Sequence, residues 1–330
     1  MRDAPKDKER RYTNLSQLHQ WTHRQFLKRA QTKPDRRCRI VIAPAQDGPF
    51  LQGLAEGYAR GFVEPILVGN ERQIHRVVDE SGIPLNSDWR VIHEPESIGA
   101  VICAARLIKE GEADVLMRGR ILVYDLFKVL FHPEHGLRER GQYWSQVGIL
   151  QIPDFPRLLI MSDCGLNVTP DLHQKVRIIE NAISVAAALG ISKPKVALLA
   201  AVEAVYLKMP VLVEESILAH FSERGGFKGA VVDGPLSLDL AISPEAADKK
   251  KMTGEVAGNA DILIVNNIYV GNSLYKSLVT LGRAESASVA VGGEVPVVLP
   301  SRSESAQNVL HSLALAAGLW AQREAGKERE

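Results

Sequence analysis

The order in which short apolar runs and longer amphipathic segments alternate constrains the fold most. "RIVIAP" (39–44) precedes a helical stretch through Arg60, and "EPILVG" (64–69) precedes another. The helical "SIGAVICAARLIKEG" leads into "ADVLMRG" (113–119). Strands that alternate with helices in this way pair in parallel, so the pattern predicts an α/β fold with helices on the faces of a parallel sheet. "QVGILQIP" and "RLLIMSD" interrupt it as a hairpin turned by Asp154 and Pro156. The alternation then resumes with a helix from Pro170 to Gly190, "KVALLAAV", a helix from Val211 to Arg224, "GAVVDGP", a polar segment and "DILIVN". A helix from Asn272 to Leu281, the runs "ASVAVGG" and "VPVVLP", and a helix from Ser303 to Gln322 complete the chain.

The hairpin marks a boundary. A chain of 330 residues, 45% hydrophobic, suits two cores better than one. The expected first domain is 1–145 with 295–330, the last helix returning to it, and the second is 146–294. Residues 1–13 read as a disordered basic lead. A helix opened by Asn14 or Ser16 follows, with Leu15, Leu18, Trp21, His23 and Phe26 near one face.

Residues 1–40 hold twelve Lys or Arg against four Asp or Glu, but the whole chain has a formal net charge of +1. The basic segment reads as solvated surface, and no nucleic-acid partner is expected. Three widely spaced cysteines exclude a disulfide framework and point to a reducing, cytoplasmic compartment. No apolar run approaches the roughly 18 residues of a membrane span, so no membrane partner is expected. Neither GxGxxG nor GxxxxGK[ST] occurs, His132-Pro133-Glu134-His135 reads as a solvated loop, and no metal site is assigned.

Ligands of open parallel sheets sit beyond the carboxyl ends of the strands. Those ends carry Arg118 and Arg120; Ser162, Asp163, Asn167 and Thr169; Glu203; Asp233, Ser237 and Asp239; and Ser301, Arg302 and Glu304. Each has a plainer reading: Asp163, Thr169 and Ser303 as helix caps, Gly234 and Pro235 as a turn, Glu203 as half of an ion pair. Together they favour a site. "VAGNADILIVNNIYVGNSLYKSL" (256–278) also holds more hydrogen-bonding groups than a turn requires. A helix starting at Asn272 would aim its N–H groups at an anion, with Gly271 allowing close approach, Asn272 and Lys276 as donors, and Arg302 adding a bidentate fork.

The blocks "EADVLMRG", "SDCGLNVTPDL", "KVALLAAVEAV", "GAVVDGPLSLDLAIS", "EVAGNADILIVNNIYVGNSLYKSL" and "PVVLPSRSESAQNVL" resemble, in order and spacing, those of the phosphate acetyl- and butyryltransferases, the butyryl branch more closely. The resemblance implies a two-domain fold like the isocitrate and isopropylmalate dehydrogenases, with the active site in the interdomain cleft. It implies transfer of a short acyl group between coenzyme A and inorganic phosphate. Coenzyme A and phosphate are then substrates, no cofactor is tightly bound, and the chain forms a homo-oligomer. Ser301-Arg302 and Gly271-Asn272 fall near the reacting phosphate by the same resemblance. A developing oxyanion needs fixed donors, for which Ser145, Asn167 and Ser301 are candidates. The aspartate that acetyl enzymes place after the Ser-Arg pair falls near Asn308, which leaves Glu304 or Asp239 as the thiol base. Arg118, Asp163 and Glu203 join the substrate-binding set, and Cys164 is a minor alternative nucleophile. Arg118-Gly119 and Ser145-Gln146 stand where the butyryl branch has Lys-Gly and Ser-His. A divergent, non-catalytic acyl-CoA or protein binder and an NAD-dependent dehydrogenase of the same fold are the competing readings.

Overall fold

The computed structural model describes residues 12–31, 36–137 and 141–326. Its elements follow from capping and burial. Helix α1 (Ser16–Ala30) has Leu15 at its N-cap without a side-chain bond, so neither Asn14 nor Ser16 caps it. Leu18, Trp21 and Phe26 are buried and His23 is exposed. Then come β1 (Cys38–Ala43), α2 (Gly48–Ala59), β2 (Val63–Gly69), α3 (Glu71–Glu80), β3 (Arg90–His93), α4 (Ser97–Lys109), β4 (Val115–Arg118) and α5 (Val123–Leu130). Asp47 and Asn70 cap α2 and α3 by accepting the Phe50 and Gln73 N–H groups, satisfying donors that a helix start leaves unpaired.

The expected hairpin is present as β5 (Ser145–Gln151) and β6 (Leu159–Ser162), antiparallel, with Val147 opposite Ser162. After it come α6 (Leu172–Ala188), β7 (Lys195–Leu199), α7 (Pro210–Glu223), β8 (Val231–Leu236), α8 (Leu238–Ile242), α9 (Pro244–Lys249), β9 (Ile262–Ile264) and α10 (Ile268–Thr280). The chain ends with β10 (Glu285–Val291), β11 (Val297–Val298) and α11 (Ala306–Gly326). Asp171 and Gln174 form a capping box on α6.

Two compact units result among the described residues, one of residues 15–31, 36–137, 141–146 and 285–326, the other of 147–284 with residues 12–14. In the first the strand order is β3-β2-β1-β4-β11-β10, parallel except for β10 against β11. In the second it is β5-β6-β9-β7-β8, parallel except for β5 against β6. The first unit's core lies around Ile40, Val41, Ile42, Leu116 and Met117, all fully buried. Helix α11 is buried along most of its length, and a Cβ at Gly318 would stand 2.1 Å from the Trp21 ring, so glycine lets α1 pack there. The second unit's core gathers Leu150, Leu159, Met161, Leu199, Leu236, Leu263 and Tyr275.

The structure departs from the sequence reading in several places. Residues 285–294, expected in the second domain, group with the first unit, because the Ser286 and Ser288 N–H groups bond the Asn308 and Ser312 side chains of α11. Tyr12 belongs to the second unit, its carbonyl accepting the Leu158 N–H at 3.2 Å; residues 1–11 of the expected lead lie outside the described residues. Strand β3 and helices α5, α8 and α9 were not anticipated, α10 starts four residues before Asn272, and α11 starts at Ala306. No helix among the described residues is long and apolar enough to cross a membrane.

Candidate active site

In the first unit, polar groups collect where β1, β4 and β11 end. The register pairs Ala43 with Arg118 and Met117 with Val298, which brings the turns after these strands together. A Cβ at Gly119 would lie 1.8 Å from the Pro44 carbonyl oxygen, so only glycine permits this approach. Arg118 is 5% exposed and donates to the Pro300 carbonyl, and its Nε has no partner among the described residues. Burial, and then the charge of Arg302, pushes its pKa down to about 10, against the opposing pull of Asp47 and Glu304. A buried cation beside a second cation is costly until an anion arrives to pair with both. Asp47, half-buried at the start of α2, adds a carboxyl raised by burial against the Phe50 N–H and the charges of Arg120 and Arg118.

The turn bearing Ser301 and Arg302 is held by Glu304. One carboxylate oxygen accepts the Ser301 N–H at 3.1 Å; the other accepts the Ser286 hydroxyl at 3.0 Å and the Asn308 amide at 2.8 Å. Asn308, buried on α11, also accepts the Ser286 N–H at 3.1 Å. Arg302 is exposed, and the Ser301 hydroxyl lies 3.3 Å from that of Ser303. Ser305, not Ser303, accepts the α11 first-turn N–H of Asn308. A carboxylate with three donors on it is a brace for the turn before it is a base. Ser145, the oxyanion candidate at the start of β5, is fully buried.

In the second unit, Asp163 is a loop organiser, not a helix cap. It accepts the Gly165 and Leu166 N–H groups at 2.8 and 2.9 Å and the Asn167 amide at 2.5 Å, so it fixes Asn167. Glu203 pairs with Lys250 at 2.7 Å, and that bond holds its carboxyl below the ordinary value. Asp239 accepts the Ser237 hydroxyl at 2.5 Å, which lowers its pKa and weakens it as a base.

The anion cradle expected from Gly271 and Asn272 is corrected. Asn267 is the N-cap of α10, accepting the Val270 N–H at 3.0 Å, and the Ile268 N–H goes to the Val168 carbonyl at 3.1 Å. Two of the first-turn donors are thus taken by the protein itself. Gly271 lies inside the helix, where a Cβ would stand 2.2 Å from the Asp163 carbonyl oxygen. Its lack of a side chain lets α10 press on the Asp163 loop. Asn272 reaches the Cys164 carbonyl at 3.5 Å, and Lys276, exposed and eight residues into α10, is not in the first turn. Cys164 is 2% exposed, gives its Sγ–H to the Met161 carbonyl, and has its thiol pushed well up by burial, which removes it as a nucleophile. His132, Glu134 and His135 form an exposed cluster with the two imidazoles stacked 4.7 Å apart.

The sequence reading missed Asp47 and gave no role to Gly119 or Asn266. "QDGP" was a legible signal for the first, an aspartate cap ahead of a proline in the opening turn. Asn266 donates to the Leu199 carbonyl at 2.7 Å, tying the ends of β7 and β9 together, and nothing local announces such a link.

The family model described as "Phosphate acetyl/butaryl transferase" matches residues 90–317. The phosphate acetyltransferase of Thermotoga maritima is 41% identical over 283 residues, 84% of this chain and 94% of that protein. The phosphate butyryltransferase of Clostridium acetobutylicum is 39% identical over 279 residues, 84% of this chain and 92% of that protein. These identities do not separate the two branches. The crystal structure of a branched-chain phosphotransacylase from Enterococcus faecalis V583 is 33% identical with a TM-score of 0.74, covering 86% of this chain and 99% of that one.

Proposed function

We propose a division of labour for this chain, which belongs to the phosphate acetyl/butyryl transferase family: Arg118 and Arg302 hold the phosphate, while the loops after the second unit's strands receive the acyl-CoA. The reaction moves an acyl group between coenzyme A and inorganic phosphate. A phosphate oxygen attacks the thioester carbonyl carbon, the C–S bond breaks as the tetrahedral intermediate collapses, and coenzyme A leaves as thiolate. The observation that carries the reading is the buried Arg118, with an unpartnered Nε and a second guanidinium near it. At neutral pH a group with a pKa of about 10 keeps its charge, so the pair presents an anion with donors already in place.

Around that pair, Ser301 is the candidate donor to the carbonyl oxygen, with its turn braced by Glu304. Asn167, aimed by Asp163, is the polar group offered by the second unit. A thiolate is a tolerable leaving group near neutrality, since a free thiol has a pKa of roughly 8.5. The forward direction therefore demands less of a base than the reverse. A cytoplasmic location and self-association belong to this proposal.

Mixing the protein with a panel of acyl-CoA thioesters and phosphate, and following free thiol, tests it. Release that depends on both phosphate and enzyme is expected for at least one short-chain thioester. Silence across straight and branched chains, in protein that melts cooperatively, would overturn the reading.

A further inference from the structure

A carboxyl stands beside the buried guanidinium of the first unit. The Gly119 and Arg120 N–H groups bond the Ala43 and Pro44 carbonyls at 2.9 and 3.0 Å, so the turn after β4 is stitched to the turn that leads from β1 into α2. Asp47 closes that second turn as the N-cap of α2. Its cap bond is weak: Oδ1 accepts the Phe50 N–H at 3.4 Å, beyond the usual length, and Oδ2 has no hydrogen bond among the described residues. Capping therefore leaves most of this carboxyl's accepting capacity unused.

Its neighbours are donors. Arg118 is 5% exposed, and its Nε has no partner among the described residues. Burial raises the Asp47 carboxyl, and the charges of Arg120 and Arg118 pull it back toward the ionised form. A carboxylate only accepts, so next to a bound anion it repels unless that anion brings a proton. Inorganic phosphate keeps at least one proton near neutrality. Sulfate, of the same shape and a similar size, has none.

We infer that Asp47 accepts the proton-bearing oxygen of phosphate and so makes this site select phosphate over unprotonated tetrahedral anions, sulfate foremost. The inference rests on the reading that Arg118 and Arg302 hold phosphate. The guanidiniums take unprotonated oxygens, and the P–OH group turns to Asp47. Sulfate in the same place sets an oxygen against the carboxylate, an unpaired contact that discriminates by repulsion. A site built around a hydrogen bond to a substrate hydroxyl rejects the analogue that lacks it for the same reason.

The test follows thiol release from acyl-CoA by the full chain, with phosphate varied and sulfate as competitor at constant ionic strength. In the parent, the sulfate Ki should exceed the phosphate KM by about tenfold or more. Asparagine caps a helix as well as aspartate does, so Asp47→Asn keeps the start of α2 while offering the anion an amide donor. Its ratio of sulfate Ki to phosphate KM should fall by about tenfold. Asp47→Ser, a second uncharged cap, should show the same direction of change and serves if the asparagine variant does not melt cooperatively. A parent that binds sulfate as tightly as phosphate, or a ratio unchanged in the folded variants, overturns the inference and leaves Asp47 as a cap only. No phosphate-dependent release, or a phosphate KM unmoved in Arg302→Lys and Arg118→Gln, overturns the underlying phosphate reading and this inference with it. A phosphate KM that moves in those arginine variants while the sulfate ratio stays fixed in Asp47→Asn overturns this inference alone.

Discussion

Glu304 shows how a side chain that reads as a catalytic base becomes a brace once its partners are known. Its three hydrogen bonds, to Ser301, Ser286 and Asn308, hold the turn that presents Arg302. Glutamine offers one carbonyl oxygen in place of two, so Glu304→Gln should lower thermal stability by about 1–2 kcal/mol and reduce kcat. The pH profile of the residual activity should keep its shape, because no titrating base has been removed; loss of a limb would restore Glu304 as the base. Gly271 makes a similar point. Its Cβ would stand 2.2 Å from a backbone oxygen, so Gly271→Ala should cost about 1–3 kcal/mol as overpacking, read from denaturant midpoints. Both residues were picked out in the sequence as polar or permissive positions at strand ends. Their partners were not legible, because Ser286, Asn308 and the Asp163 carbonyl reach them only through tertiary packing.

Helix α10 is the element where local sequence misled. Ile268, Tyr269 and Val270 are poor helix formers and resemble a strand's continuation, so Asn272 looked like the cap. In the structure Asn267 caps, and the two asparagines separate cleanly: Asn267→Ala should cost about 1 kcal/mol of stability, Asn272→Ala about half that or less. Equal losses in chemical denaturation would contradict this assignment. The strands that were legible, such as β7 and β1, are apolar runs buried on both faces. Strand β3 was not, because at the sheet edge "RVIH" has no fully buried residue and no apolar run. On α7, Glu215 is 1% exposed with neither carboxylate oxygen hydrogen-bonded among the described residues, the nearby Asn266 amide being given to Leu199. Burial, outweighing the attraction of Lys175, pushes its pKa up to about 8. An unfolded glutamate ionises near 4.5, so the folded state binds the extra proton in between and loses stability as pH rises from about 4.5 to about 8. Glu215→Gln removes that loss: its Tm should match wild type near pH 4.5 and exceed it increasingly toward pH 8. A constant offset across that range would place the ionised form in the fold.

At the scale of the whole molecule, two α/β units each carry polar loops at the carboxyl ends of their strands, and the buried cation, Arg118, belongs to the first. The α/β class, the hairpin and the loaded strand ends were legible because they follow from apolar periodicity and from the chain reversing at strand ends. Which unit owned β10, and that Asp47 joins Arg118, depended on pairings between residues distant in sequence. The central claim is that Arg118 and Arg302 together hold phosphate, and its most direct test is the phosphate dependence of thiol release in Arg302→Lys and Arg118→Gln. The lysine keeps a charge but loses the planar fork and the glutamine loses the charge, so in each the KM for phosphate should rise about tenfold or more, equivalent to roughly 1.4 kcal/mol or more, while the KM for acyl-CoA changes little. An unchanged phosphate KM in both folded variants, or a rise confined to the acyl-CoA KM, would contradict it.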